Sequence, residues 1–163
     1  MMRRLMQALV LGALLLTTPA MAADWQRYQN PRYAFGIDIP ANFFLLRESD
    51  NGDGAIFNSR DGRVVMRAYG GNVVEADFEA EVKAAMKSAK SDGWMLSYQR
   101  VTPDWASYSG SRNGQVLYTR AVATCSGSQY VGFELVYPVD QFKAYDAIIQ
   151  HLIDSLKSLD AAC

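Results

Sequence analysis

The spacing of hydrophobic residues changes several times along the chain, and each spacing predicts one kind of element. Alternating apolar and polar positions from Tyr33 to Ile39 predict a strand with one buried face, which ends at Pro40. A short extended piece is predicted from Phe43 to Arg47. Further extended runs are predicted at residues 55–59, 63–69, 94–102, 105–110, 115–124 and 129–137. The short links between successive runs favour antiparallel pairing.

Two segments instead repeat their apolar residues every three or four positions, as amphipathic helices do. The first runs from Glu75 to Lys90, with Asp77 or Asn72 as its N-cap and Gly93 at its end. The second follows Pro138, and its apolar stripe reaches residue 159. The order of strands, a helix, four strands and a helix predicts an α+β fold, with both helices packed on an antiparallel sheet.

Turn-forming residues separate these elements. The run from Asp50 to Gly54 is dense in residues that tolerate left-handed backbone, so it predicts a tight turn. Asp61-Gly62 lies between two extended runs, and this pair favours a type I′ hairpin.

Residues 1–22 are predicted to be a secretory signal peptide. Arg3 and Arg4 precede a short apolar run, and Ala20-Met21-Ala22 provides a cleavage site of small residues. The run is shorter than the roughly 20 apolar residues of a transmembrane helix, so we expect no stable membrane anchor after cleavage. The mature chain, residues 23–163, is then expected to be one domain in the periplasm or outside the cell.

The net charge and the distribution of arginines argue against a nucleic-acid partner. The chain has a formal net charge of −1, and losing Arg3 and Arg4 makes the mature protein more negative. The remaining arginines are scattered singly along the chain. A nucleic-acid binder would instead carry a clustered basic face, so we expect no nucleic-acid partner.

The two cysteines, Cys125 and Cys163, both lie in the predicted mature chain. An oxidising compartment lets such a pair form and keep a disulfide, which is the leading interpretation here. The alternative is two free thiols, which are open to oxidation in the envelope.

A metal site has only weak support. Asp50, Asp53 and Asp61 are the candidate calcium ligands, but Gly52 and Ala55 occupy positions where an EF-hand loop needs an oxygen ligand and glycine. A turn is therefore the preferred interpretation, and no cofactor is predicted.

Catalytic chemistry also lacks a clear motif. His151 is the only histidine, and its helical position places it away from the apolar stripe, towards solvent. Glu134, the lone carboxylate of the last predicted strand, is interpreted as a residue of the solvent face. We therefore predict no catalytic residue, although a small hydrolase remains an alternative.

Aromatic residues offer a candidate binding surface. Trp105, Tyr108, Tyr118 and Tyr130 lie on adjacent predicted strands, and would form one exposed platform for a partner or ligand if they shared a face. Ordinary packing within the sheet is the alternative interpretation.

One segment near the start of the predicted mature chain resembles a known family. Residues 28–40 read YQNPRYAFGIDIP, and Tyr137-Pro138 precedes the final amphipathic helix. In this combination the chain resembles the PsbP/Mog1-like superfamily. The resemblance implies an antiparallel sheet of about six to seven strands with two main helices packed on it. It also implies a binding or assembly module more than an enzyme, and it assigns no functional residue.

These observations predict an exported bacterial protein with a non-enzymatic role in the cell envelope. Its expected partner is an envelope protein or a small ligand. A small envelope hydrolase and a weak calcium-binding module are the alternatives.

Overall fold

The computed structural model describes residues 24–159 and residue 163. The predicted signal peptide lies outside the described residues. The strands are Trp25–Asn30 (β1), Phe35–Pro40 (β2), Phe43–Glu48 (β3), Gly54–Ser59 (β4), Val65–Asn72 (β5), Met95–Val101 (β6), Trp105–Arg112 (β7), Gln115–Thr124 (β8), Gln129–Pro138 (β9) and Lys157–Ser158 (β10). The helices are Phe78–Ser91 (α1) and Phe142–Ser155 (α2).

The strands form two antiparallel sheets. The larger sheet has seven strands in the order β3-β4-β5-β9-β8-β7-β6, and the smaller has three in the order β1-β2-β10. The predicted α+β architecture is therefore confirmed. Both edge strands of the larger sheet, β3 and β6, contain a register shift, at Leu45/Arg47 and at Leu96/Tyr98. Such bulges twist an edge away from pairing with other chains.

The start and end of α1 follow from its local sequence. Asp77 is the N-cap, and its carboxylate accepts a hydrogen bond from the backbone N–H of Ala80 at 2.8 Å. Gly93 follows the helix with φ +89°, a left-handed conformation that favours glycine. Both residues match the predicted signals.

The turn at Asp61-Gly62 differs from the type I′ prediction. A type I′ turn needs positive φ at both central residues, but only Gly62 has it, at +69°. The Asp61 carboxylate accepts hydrogen bonds from the Ser59 hydroxyl and the Arg63 backbone N–H, which supports a longer loop. Both Asn113 and Gly114 have positive φ, so the I′ backbone occurs there, between β7 and β8.

The seven-stranded sheet has a helix on each side. We call the side that contacts α1 the α1 face, and the other side the α2 face. The α2 face packs against α2 and the smaller sheet in one apolar core, in which Phe35, Phe133 and Leu152 are each 0% exposed. The α1 face packs against Phe78, Val82 and other α1 residues in a second core.

A disulfide joins the end of the chain to the larger sheet. Cys125 lies in the 3-10 turn between β8 and β9, and its Cα is 5.0 Å from that of Cys163. The bond encloses the segment that contains β9, α2 and β10. It therefore connects the layer on the α2 face to the sheet beneath it.

Candidate functional site: a groove between α1 and the sheet

The four aromatic residues of the predicted platform do not share a surface. Tyr108 is 6% exposed and packs in the core beneath α1, with Tyr130 at the edge of that core. Tyr118 packs at the edge of the opposite core, on the α2 face. Trp105 also lies on the α2 face, because side chains alternate along a strand and Trp105 is three residues from Tyr108.

The α1 face contains a groove of about 640 Å³ between α1 and the sheet. Its volume lies within the range of about 300–1,000 Å³ that is usual for ligand sites. The helix contributes Ala85, Ser88 and Ala89. The strands contribute Arg67, Tyr69, Tyr108, Leu117, Glu134 and Val136.

The groove exists because one helix is too narrow to cover the sheet. A helix is about 10 Å in diameter and strands lie about 4.8 Å apart, so α1 covers only part of seven strands. It packs over β6 and β7. The small side chains of Ala85 and Ala89 face the uncovered part, which lies over β5 and β9.

Two tyrosines give the groove an aromatic floor. Burial raises the pKa of Tyr69 well above its usual value, and burial also raises the pKa of Tyr108. Both phenols therefore stay protonated at physiological pH and are available as hydrogen-bond donors. A smaller cavity of about 90 Å³ shares both residues and adds Thr119 and Tyr130. The Thr119 hydroxyl is buried in this cavity beside Tyr108.

An ion pair forms part of the groove wall. Arg67 on β5 and Glu134 on β9 are cross-strand neighbours, and Arg67 Nη1 donates to Glu134 Oε1. The side chains are 49% and 25% exposed, so both charges remain in contact with solvent in the groove. Because the two charges compensate each other, the wall is polar without a large net charge.

Trp94 and Arg112 close one end of the groove. The Arg112 guanidinium carbon lies 4.4 Å from the centroid of the Trp94 ring, in a cation–π contact. Arg112 Nη1 also donates to the backbone carbonyl of Asp92 at 2.7 Å, at the end of α1. These contacts link the helix end to the β7–β8 turn.

The weak calcium candidates are not brought together. Asp53 precedes β4 and pairs with Arg32 at 3.2 Å, whereas Asp61 follows β4 and binds Ser59. A six-residue strand is about 20 Å long, which separates Asp50 and Asp53 from Asp61. Within residues 24–159 and residue 163, no three His, Cys, Asp or Glu side chains cluster as metal ligands do.

His151 lies on the α2 side of the molecule, away from the groove. Its ring stacks on Trp25 with centroids 3.8 Å apart, and its Nε2 is 2.9 Å from Asp38 Oδ2. The predicted solvent position is therefore only partly correct, since the side chain is 39% exposed. Burial alone would raise the pKa of Asp38, but hydrogen bonds from His151 and Arg27 outweigh it and lower that pKa.

Several solved structures are similar to this one. Cyanobacterial PsbP (CyanoP) from Synechocystis matches with a TM-score of 0.65 and 10% sequence identity, over 90% of this chain and 99% of that one. The Ran-binding protein Mog1p from Saccharomyces cerevisiae matches with a TM-score of 0.62 and 10% identity, over 85% and 97%. The fold is PsbP/Mog1-like.

A third similar structure is that of LpqN from Mycobacterium tuberculosis, described as involved in cell envelope biogenesis. Its TM-score is 0.50 at 12% identity, over 83% of this chain and 91% of that one. No family model matches the sequence, and no curated protein matches it either. At such low identities the likeness shows the fold alone.

Within this PsbP/Mog1-like fold, three groove residues were not predicted to act together: Arg67, Tyr69 and Glu134. Glu134 was interpreted as a solvent-face residue, but it faces the groove beneath α1. In the sequence, only the two-residue spacing of Arg67 and Tyr69 pointed to this arrangement. Side chains two residues apart in a strand lie on the same face of the sheet. The residues of β9 that lie opposite them depend on strand register, which cannot be read from a single sequence.

Proposed function

We propose that this protein is an exported, non-enzymatic binding module of the cell envelope that holds a small ligand in the α1 groove. The observation that carries the proposal is the groove itself. It combines ligand-sized volume, a floor of two protonated tyrosines and a charge-compensated polar wall. Concave sites that combine aromatic surface with a few convergent polar groups are typical of ligand binding.

The envelope location is supported by three observations. Residues 1–22 have the pattern of a signal peptide. The Cys125–Cys163 disulfide suits an oxidising compartment. LpqN, which has a similar fold, is described as involved in cell envelope biogenesis. Neither helix of the described chain has the length and apolarity needed to cross a membrane.

Mass spectrometry of the exported protein is expected to find Ala23 or Asp24 at its N-terminus.

Binding accounts for the groove better than hydrolysis does. Glu134 already accepts a hydrogen bond from Arg67, and His151 lies on the other side of the sheet. The groove therefore places none of its hydroxyls beside a histidine, which a Ser–His mechanism requires.

The groove also indicates the chemistry of its ligand. Tyr69 and Tyr108 provide flat apolar surface together with hydroxyl donors. Arg67 and Glu134 supply a donor and an acceptor with no large net charge between them. A neutral molecule with one flat apolar face and several hydroxyl or amide groups suits this arrangement.

The groove can be filled with little effect on the fold. Ala85 and Ala84 are both exposed positions of α1, but only Ala85 lines the groove. Ala85→Trp should block the groove, and Ala84→Trp is the matched control because it carries the same helix-propensity cost. We expect the small-molecule fraction of a bacterial envelope extract to raise the melting temperature of the wild type and of Ala84→Trp by about 5 °C.

The Ala85→Trp variant should show no such increase. An equal increase in Ala85→Trp would place the ligand elsewhere, and no increase in any of the three proteins would contradict the proposal.

A further inference from the structure

A second surface lies on the part of the α2 face that neither α2 nor the smaller sheet covers. The apolar core on that face includes residues of β3, β4, β5, β8 and β9, but none of β6 or β7. The uncovered surface consists of Tyr98, Arg100, Trp105, Tyr118 and Arg120, which we call the arginine–tryptophan patch. Tyr98 is 46% exposed.

Two arginines converge on one ring in this patch. The guanidinium carbon of Arg100 lies 5.1 Å from the centroid of Trp105, and that of Arg120 lies 4.1 Å from it. Strand register explains the convergence, because Ser107 pairs with Arg100 on β6 and with Arg120 on β8. Trp105 is two residues from Ser107 on the same face, so both side chains reach it.

Within the part of the chain that the structure describes, no carboxylate balances the positive charge of the patch. Arg27, Arg32, Arg63 and Arg67 each pair with an acidic side chain, whereas neither Arg100 nor Arg120 does so among the described residues.

The polar groups around Arg120 are hydroxyls. The Ser107 hydroxyl accepts from Arg120 Nη1 and from the Tyr118 hydroxyl, both at 3.2 Å. Arg120 Nε is buried and has no hydrogen-bond partner in the described chain. These contacts fix the guanidinium in place while leaving its charge unmatched.

We infer that the arginine–tryptophan patch binds an acidic segment of a protein partner. Guanidinium groups bind carboxylates through two parallel hydrogen bonds, and two adjacent arginines suit a segment with several carboxylates. The surface is an open sheet face, and Trp, Tyr and Arg are the residues enriched where proteins bind each other most strongly.

A glutamate peptide can test this inference. We would titrate capped hexaglutamate into the mature protein and follow the indole N–H signals of its three tryptophans by NMR. The Trp105 signal should shift, while those of Trp25 and Trp94 stay unchanged. The double variant Arg100→Gln/Arg120→Gln should bind at least about tenfold more weakly.

The matched control is Arg47→Gln/Arg60→Gln. It removes the same charge from two exposed arginines outside the patch, and should bind like the wild type. Unchanged Trp25 and Trp94 signals in the patch variant would show that it is folded. A folded patch variant that binds as tightly as the control would overturn the inference.

Two further probes separate other anions from an acidic peptide. Inorganic phosphate or phosphatidylglycerol vesicles that shift Trp105 when hexaglutamate does not would also overturn the inference. Ala85→Trp should leave peptide binding unchanged. The proposal for the patch can therefore be disproved without affecting the proposal for the groove, and the reverse.

Discussion

The two faces of the seven-stranded sheet are covered by helices of equal length, 14 residues each, but the coverage differs. On the α2 face, the smaller sheet lies beside α2, and Phe35, Ile37 and Ile39 of β2 are each 0% exposed. On the α1 face, the helix packs alone. Adjacent residues of β9 show the result, since Leu135 is 0% exposed but the Glu134 side chain is 25% exposed.

This difference suggests how one fold separates its main stabilising layer from its small-ligand groove. The second layer on the α2 face removes most apolar surface from water and therefore supplies much of the stability. The α1 face retains an open groove, because no second element of the described chain covers β5 and β9 there. Substitutions on the two faces should accordingly have different effects.

The largest effect is expected for a truncation in the core of the α2 face. Leu152 is 0% exposed, so Leu152→Ala removes fully buried methyl groups and should cost about 4 kcal/mol of unfolding free energy. Met86 of α1 is 7% exposed, and Met86→Ala should cost only about 2 kcal/mol. Urea denaturation measures both values. A larger loss of unfolding free energy for Met86→Ala than for Leu152→Ala would contradict the difference between the two faces.

Removal of the disulfide should have the next largest effect. The bond joins residues separated by 38 positions, and the chain-entropy model gives about 4 kcal/mol, of which real proteins often show about 3 kcal/mol. We expect this loss in Cys125→Ser/Cys163→Ser, measured by urea denaturation. Because the bond secures the α2 side, the double variant should keep the response of the groove to envelope extract. Loss of that response in the folded variant would show that the two faces are coupled.

A smaller effect is expected for the ion pairs of the α2 side. The pKa of Asp38 is lower in the folded protein, so its carboxylate contributes stability above its unfolded pKa, and this is lost as the pH falls below about 4. Asp38→Asn should cost about 1 kcal/mol at pH 7 and less at pH 3, because the carboxylate is partly protonated there. Denaturation at both pH values tests this. Asp140→Asn, which breaks an ion pair with a 68% exposed carboxylate, should change little at either pH.

A smaller effect on stability than that of Asp38→Asn is expected in the groove wall. Glu134→Gln breaks a partly exposed ion pair with Arg67, so it should cost about 0.5 kcal/mol. It should nevertheless abolish the melting-temperature increase with envelope extract, because the groove loses the acidic partner of Arg67 and with it the charge balance of the wall. A full increase in this variant would exclude Glu134 from ligand binding.

Much of the fold was predictable because its signals are local. The extended run predicted at residues 115–124 matches β8, and the capping residues Asp77 and Gly93 located α1. The two-residue strand β10 was not predicted, since two residues are too few to show an alternating pattern and their partner β2 lies far away in the sequence.

The site was less predictable because it depends on strand register. Trp105 and Tyr108 are an odd number of residues apart, which already separates their faces. Which face stays open is set by where α1 lies over the sheet. The cross-strand neighbours Arg67 and Glu134 are 67 residues apart in sequence, so only the pairing of β5 with β9 brings them together.

NMR with the small-molecule fraction of an envelope extract can show whether the ligand binds on the α1 face. Backbone amide signals of Tyr69, Ala85 and Glu134 should shift, whereas those of Met66 and Leu152 should not. Shifts confined to Met66, Leu152 and their neighbours on the α2 face, with none along the groove, would contradict binding on the α1 face.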